Sequence, residues 1–217
     1  MSSKRRKGGA FLIAGGLLLL AAAFLLTGYN LIDEHRADAD ANHALELLQK
    51  EIPADPLDDI QLPDFSEPGS EAGTVELPDY ILNPDMEMPV INIEGNGYIG
   101  VLEIPALELS LPVMSEWSYP KLKIAPCRYQ GSAYTGSFVI AAHNYRTHFR
   151  QLDRLKAGDQ IFFTDTKGRR FLYTVDGVEI LESTAVEDML SEEWDLTLFT
   201  CTPGGQARVA VRCIRID

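Results

Sequence analysis

Positive charge is scarce in this 217-residue sequence, which has 19 Lys and Arg against 32 Asp and Glu and a formal net charge of −13. Residues 51–90 are the extreme case, because they contain eleven acidic side chains and neither lysine nor arginine. Residues 91–217 are only mildly acidic. No basic face is predicted for them, which argues against nucleic acid as a partner.

Residues 11–32 contain no charged side chain. They exceed the roughly 20 apolar-tolerant residues that an α-helix needs to cross a bilayer core, so we predict one transmembrane helix. Four basic residues lie in the preceding tail, residues 1–10, and Asp33 and Glu34 follow the helix. This asymmetry predicts a cytoplasmic amino terminus and an extracellular main domain. A cleaved signal peptide is the alternative, but its apolar core of roughly 7 to 15 residues would be shorter.

Two segments separate the predicted membrane helix from the main domain. Residues 33–52 have a mild apolar stripe at helical spacing, Ala41, Ala44, Leu45, Leu48 and Ile52, and a simple helical stalk is favoured over an oligomerisation seam or a brace against the domain. Residues 53–90 are acidic and contain seven of the twelve prolines. Such a composition builds no core and predicts an extended tether that holds the domain away from the membrane.

Residues 91–217 have the size of a single domain. Runs rich in β-branched and aromatic residues predict strands, and Lys167-Gly168 and Asp176-Gly177 predict turns, the second one a tight hairpin. There is no alternation of strands with helices and no internal repeat, so a mostly antiparallel sheet closed into a barrel is predicted. The predicted strands are 97–104, 137–142, 160–164, 170–175, 178–181, 196–201 and 207–216.

Three residues near strand ends form a candidate reactive set: Cys201, His143 and Arg208. A thiol attacks a carbonyl as its thiolate, and an ordinary cysteine with a pKa of about 8.5 needs a neighbouring base or cation for this. His143 is the candidate base, and the Arg208 guanidinium is a candidate donor for an oxyanion. Arg212, on the same predicted face, is the fallback for Arg208. The alternative for Cys201 is a small buried apolar residue.

Other histidine and cysteine residues give weaker signals. His148 competes with His143 for the role of base, and the two together with a cysteine are a conceivable zinc site. Their five-residue spacing and the lack of a second cysteine nearby argue against zinc. Cys127 and Cys213 could form a disulfide outside the cell, but two buried free thiols are favoured.

These residues lie in motifs that resemble those of the sortases, membrane-anchored cysteine transpeptidases of Gram-positive bacteria. Thr197–Cys201 (TLFTC) resembles the sortase signature T-L-x-T-C, and residues 208–212 (RVAVR) resemble R-x-x-V-R, whose first arginine is the catalytic one. His143 follows Val139–Ala142 as the catalytic histidine does in the family. Residues 98–105 and 111–113 are similar to the first and second barrel strands. The resemblance implies a closed eight-stranded β-barrel with short helices.

The resemblance also implies a reaction. Cys201 would cleave a sorting motif near the carboxy terminus of a secreted protein, and an amine would resolve the thioacyl enzyme. The acceptor would be a peptidoglycan cross-bridge, lipid II or a pilin lysine. His143 would act as acid and base, Arg208 as the oxyanion or substrate clamp, and Thr200 would line the substrate groove. No cofactor or metal is required.

Three alternatives remain open. The same residues would serve a membrane-anchored cysteine peptidase that only hydrolyses, and a non-catalytic cell-wall-binding barrel would keep Cys201 buried. Pilin-building sortases have an Asp-Pro-aromatic lid over the active cysteine, but Asp55-Pro56-Leu57 lacks the aromatic residue. A plain tether is therefore favoured over a lid.

Overall fold

The computed structural model describes residues 4–53 and 78–216. Most of the predicted tether, including Asp55-Pro56-Leu57, lies outside the described residues.

One continuous helix, α1 (Lys4–Glu51), contains both the predicted membrane segment and the predicted stalk. No proline or other strong helix breaker occurs before Pro53, so the apolar half continues into the polar half without interruption. Within the part of the chain that the structure describes, α1 is the one helix long and apolar enough to cross a membrane. Its most apolar stretch is not buried against any of the other described residues.

The carboxy-terminal half of α1 packs against the barrel, so the predicted free stalk is wrong. Ala37, Ala41, Ala44 and Leu48 are 0 to 4% exposed, and the helix contacts the strands β1 (Ile91–Ile93), β2 (Asn96–Ile104) and β3 (Leu109–Met114). Small alanine side chains let the helix backbone approach the sheet closely. The weak apolar stripe is a brace against the domain.

The domain contains nine strands and short helical turns. The remaining strands are β4 (Cys127–Ser132), β5 (Gly136–Ala141), β6 (Gln160–Asp165), β7 (Arg170–Glu182), β8 (Leu196–Cys201) and β9 (Ala207–Arg215). The short helices are α2 (Asp79–Leu82), α3 (Tyr119–Leu122) and α4 (Val186–Met189), with 3-10 turns at Pro105–Leu107 and Leu152–Arg154.

The strands form one sheet in the order β1-β2-β3-β4-β5-β8-β9-β7-β6, and β6 also pairs with β2. Strands β2 to β9 therefore close an eight-stranded barrel, and β1 is an additional strand at its outside that pairs with β2. The predicted barrel is confirmed. Most neighbours are antiparallel, but β3 pairs with β4 and β5 with β8 in parallel.

The two faces of the sheet bury two different cores. Phe138 and Ile140 on β5 point to the barrel interior, whereas Val139 and Ala141 belong to the cluster that receives Leu48 of α1. This follows from the alternation of side chains along a strand. Because both faces are covered, β5 carries an unbroken apolar run.

Residues 78–90 belong to the domain, so the predicted tether ends too late. Met88 is 3% exposed in the barrel core, and the Tyr80 ring stacks on that of Tyr134 with centroids 5.1 Å apart. Asp79 on α2 forms an ion pair with Arg169. The acidic and proline-rich composition of residues 78–90 predicted a tether, although a few apolar side chains in this stretch pack against the barrel.

The predicted hairpin at Asp176-Gly177 is wrong. Strand β7 continues through these residues, and both of its halves pair with β9. The register shifts between Val175 and Gly177, so the extra residue forms a bulge instead of a turn. The other predicted turn is confirmed, because Gly168 has a φ of 80° and its N–H donates to the Asp165 carbonyl between β6 and β7.

Candidate active site

The parallel pair β5 and β8 brings His143 and Cys201 to the same edge of the barrel. Ala141 lies opposite Phe199 in this pair. His143 comes two residues after Ala141, and Cys201 comes two residues after Phe199. Two hydrogen bonds hold the strand ends together: Ala142 N–H donates to the Phe199 carbonyl at 3.2 Å, and Thr200 Oγ1 donates to the Ala142 carbonyl at 2.8 Å. The strand register therefore brings the candidate base to the candidate thiol.

Strand β9 supplies the third residue, because Arg208 lies directly opposite Cys201 in the β8–β9 pair. The intervening turn has Gly204 and Gly205 at positive φ, 85° and 74°. Arg208 Nη1 donates to the carbonyls of Gly205 and Ala207 at 3.1 and 3.0 Å, which holds the guanidinium beside the turn.

Cys201, His143 and Arg208 line one cavity of about 180 Å³. Its remaining walls are mainly apolar and aromatic, and they come from the α3 region, β4, β8 and α4. The wall residues include Trp117, Tyr129, Val186, Met189 and Phe199. The cavity thus offers a largely apolar groove in which a thiol, an imidazole and a guanidinium lie together.

A larger and more polar cavity, of about 730 Å³, meets the first one at Cys201 and Thr200. Three arginines line it, at positions 146, 150 and 154, against the single carboxylate of Asp153. The sequence analysis missed these arginines. Their four-residue spacing after His143 was the available signal.

Thr200 is buried at 2% exposure, and its hydroxyl is used to join β8 to the end of β5. It lines both cavities.

Burial distinguishes the three cysteines, which are all free thiols. Cys127 and Cys213 are fully buried, as favoured from the sequence, whereas Cys201 is partly exposed in the cavity walls. Burial raises the pKa of Cys127 to about 12 and also raises the pKa of Cys213 strongly. Cys201 is therefore the thiol that a reagent or substrate can reach.

The environment of His143 favours the neutral imidazole. Burial lowers the pKa of His143, the nearby Lys123 ammonium lowers it further, and the Asp33 carboxylate of α1 opposes both effects. A neutral imidazole beside a thiol is able to accept its proton.

His148, the competing histidine, is enclosed in the protein. It is 0% exposed, both of its ring nitrogens lack a hydrogen-bond partner among the described residues, and burial lowers its pKa to about 4. His148 does not line the cavity that contains Cys201 and His143. Within residues 4–53 and 78–216, no three His, Cys, Asp or Glu side chains come together as a possible metal site.

Arg212, the fallback for Arg208, is 4% exposed and bound within the protein. Its Nε donates to Glu179 Oε1 at 2.5 Å and its Nη1 to Thr197 Oγ1 at 3.1 Å, while Nη2 donates to the Asp188 carbonyl at 2.6 Å. These bonds connect β7, β8 and α4. The guanidinium that faces the cavity is that of Arg208.

Comparison with protein-family models matches the sortase domain over residues 102–216, more than half of the chain. The chain belongs to the sortase family. The matched region runs from within β2 to the end of β9 and includes the two cavities. Comparison with functionally curated proteins gave no match.

Solved structures of sortase C proteins share the fold of this sortase. Sortase C1 of GBS Pilus Island 1 is 26% identical with a TM-score of 0.50, over 55% of this chain and 64% of that one. The Streptococcus suis sortase C1 is 30% identical with a TM-score of 0.50, over 55% and 73% of the two chains. A pilus-related sortase C of Group B Streptococcus is 27% identical with a TM-score of 0.50, over 58% and 70%.

We expect a thiol-directed reagent to label only Cys201 in the folded protein, because Cys127 and Cys213 are enclosed and hold their protons. Mass spectrometry of the full chain after brief treatment with iodoacetamide should find one adduct, and three adducts after denaturation. The Cys201→Ala variant is the control and should stay unlabelled while folded. Labelling of Cys127 or Cys213 under native conditions would contradict the buried arrangement.

We also expect His148 to make stability depend on pH. An unfolded histidine titrates near pH 6.5, but folded His148 titrates only near pH 4, so the unfolded state binds more protons between these values. The free energy of unfolding should therefore fall as the pH falls from 6.5 towards 4, by at most about 3 kcal/mol for this residue. Thermal unfolding measured from pH 6.5 to pH 4 tests this. The fall in stability should be smaller in His148→Leu and unchanged in His43→Gln, because the His43 side chain is exposed.

Proposed function

We propose that this sortase is a cysteine transpeptidase that cleaves a carboxy-terminal sorting motif of secreted proteins and joins them to an amine of the cell wall or of a pilin. The observation that carries the proposal is the shared cavity of Cys201, His143 and Arg208 at the ends of β5, β8 and β9. Nucleophile, acid/base and oxyanion donor are the three functions that acyl transfer requires.

The first half of the reaction forms a thioester. The Cys201 thiolate attacks the carbonyl carbon of the scissile amide, and Arg208 stabilises the oxyanion or holds the substrate backbone. The carbon–nitrogen bond then breaks, and the His143 imidazolium donates its proton to the leaving amine. The donor remains bound through its carbonyl carbon to Sγ.

The second half returns the enzyme to its starting state. Neutral His143 takes a proton from the acceptor amine, which attacks the thioester carbon. The carbon–sulfur bond breaks, Cys201 leaves as thiolate, and a new amide bond joins donor and acceptor. The lowered pKa of His143 suits this step, because the imidazole is free to accept a proton at neutral pH.

The two cavities support a division between the substrates. The smaller cavity is apolar and contains the three candidate catalytic groups, so we assign the sorting motif to it, with Thr200 in its wall. The larger polar cavity reaches Cys201 from the other side, so we assign the incoming amine and its flanking groups to it. Each substrate then approaches the same sulfur without displacing the other.

The charge pattern around α1 supports an orientation. The apolar half of α1 would cross the membrane, with the basic residues at positions 4–7 in the cytoplasm. The barrel would then lie on the extracellular side, where secreted donors and wall or pilin acceptors occur.

Intact-mass analysis tests the reaction directly. The full chain in detergent micelles is incubated with a library of carboxy-terminal peptides from secreted proteins, with and without amines, beside Cys201→Ala. A thioacyl adduct on Cys201 that disappears with amine and yields a ligated peptide is expected. Turnover to free acid alone, unchanged by amine, would instead make the protein a peptidase. Absence of any adduct with every peptide would overturn the proposal.

We expect Arg208→Ala and Arg212→Ala to fail in different ways. Loss of an oxyanion donor costs on the order of 10²- to 10³-fold in rate, so Arg208→Ala should lose turnover and keep its melting temperature. Arg212→Ala breaks the four internal hydrogen bonds of this guanidinium, to Glu179, Thr197 and the carbonyls of Asp188 and Met189, and should lose roughly 1–3 kcal/mol of stability. The rate of peptide turnover and the melting temperature are measured for both variants. Greater loss of turnover in folded Arg212→Ala would contradict the assignment.

A further inference from the structure

The helix α1 contacts the loop that carries His143. Asp33 and Glu34 are the first charged residues after the apolar half of the helix, and both bind residues of this loop. Glu34 Oε1 accepts a hydrogen bond from the Arg146 backbone N–H at 2.6 Å, and Glu34 Oε2 lies 3.5 Å from Arg150 Nη2. Two consecutive carboxylates of the membrane-proximal helix therefore hold the loop.

Tyr145 connects Asp33 to His143. The Tyr145 hydroxyl donates to Asp33 Oδ2 at 2.8 Å, and the Tyr145 ring packs against the His143 ring with centroids 5.0 Å apart. The hydrogen bond from Tyr145 keeps the pKa of Asp33 low, and burial together with Asp33 raises the pKa of Tyr145. Tyr145 therefore keeps its hydroxyl proton and donates it in a hydrogen bond to the ionised carboxylate of Asp33.

Tyr145 also organises the rest of the loop through its backbone. Its carbonyl accepts hydrogen bonds from the N–H groups of His148 and Arg150, at 3.0 and 3.2 Å. The Phe149 N–H donates to the His143 carbonyl at 3.3 Å. A displacement of Tyr145 would therefore move the backbone on which His143 depends.

Charged groups from several elements surround His143. Lys123, after α3, lies 3.2 Å from Asp33 and disfavours the imidazolium, whereas Asp33 on α1 favours it. His148 lies in the same loop, and Arg208 on β9 lines the same cavity. Asp33 is the carboxylate whose charge opposes that of Lys123 at His143.

We propose that Asp33 is a positioning residue for His143, acting through Tyr145, so that the docked membrane helix is part of the active site. The proposal rests on the proposed function, because it assumes that His143 is the acid and base. It goes beyond that function in assigning a role to α1 other than anchoring. A domain without α1 would fold its barrel around a less ordered catalytic loop.

Two rate measurements test the connection in the full chain in detergent micelles. Asp33→Ala and Tyr145→Phe each break the hydrogen bond, so we expect each to slow thioacyl formation roughly ten- to hundredfold, with little change in KM for the peptide. The double variant should be no slower than the slower single variant, because both act through one bond. Glu46→Gln, which changes an exposed carboxylate on the same helix, should match the unaltered protein.

The pKa of His143 provides a readout that does not depend on activity. Asp33→Asn keeps an acceptor for Tyr145 but removes the charge, so His143 should titrate at lower pH, with the acidic limb of the rate profile shifted in the same direction. Histidine-selective NMR titration of the full chain measures this directly. His43, ten residues beyond Asp33 on α1, is an internal control.

Each result decides the proposal. Slower thioacyl formation in Asp33→Ala and Tyr145→Phe, together with a lower His143 pKa in Asp33→Asn, supports it. An unchanged His143 titration in Asp33→Asn, or rates in Asp33→Ala equal to those of Glu46→Gln, would overturn it. If the unaltered chain forms no thioacyl adduct, the proposed function fails, and the NMR titration alone still tests the contact between Asp33 and His143.

Discussion

The parallel pairing of β5 with β8 is the constraint on which the candidate site depends. The register that sets Ala141 opposite Phe199 brings the ends of both strands to one edge, and His143 and Cys201 follow there. Packing on both sheet faces maintains this register, because a slip of one residue would turn the buried side chains of β5 to the wrong face. The candidate thiol and base are thus positioned by the core of the barrel, while β9 adds Arg208 through antiparallel pairing.

The packing of α1 against the barrel places the candidate site next to the end of the apolar segment. Asp33 follows the apolar segment directly, and a helix rises about 1.5 Å per residue, so the His143 loop would lie at the bilayer surface once α1 spans it. An extended acidic tether had suggested a domain held away from the membrane. The contacts of Asp33 and Glu34 instead favour a candidate site close to the lipid.

Local patterns predicted the strands that carry the site well and several other elements poorly. Strand β8 has the predicted bounds, and β9 differs by one residue, because both combine apolar runs with flanking turn residues. Strand β4 was missed, since Arg128 and Gln130 interrupt its apolar pattern. Asp176-Gly177 predicted a hairpin because the same dipeptide suits a turn and a bulge, and only the partner strand distinguishes them.

The sequence by itself determined the candidate reactive residue types, the family motifs and the apolar helix, because each depends on neighbours along the chain. It indicated the closed barrel only through the run of predicted strands and the family resemblance. Tertiary structure decided which groups meet. It enclosed His148 and left His143 in the cavity wall with Cys201. It also bound Arg212 inside the protein and brought Asp33 to Tyr145 across 112 positions of sequence. Such contacts depend on how strands and helix pack in space, and the spacing of residues along the chain does not encode that packing.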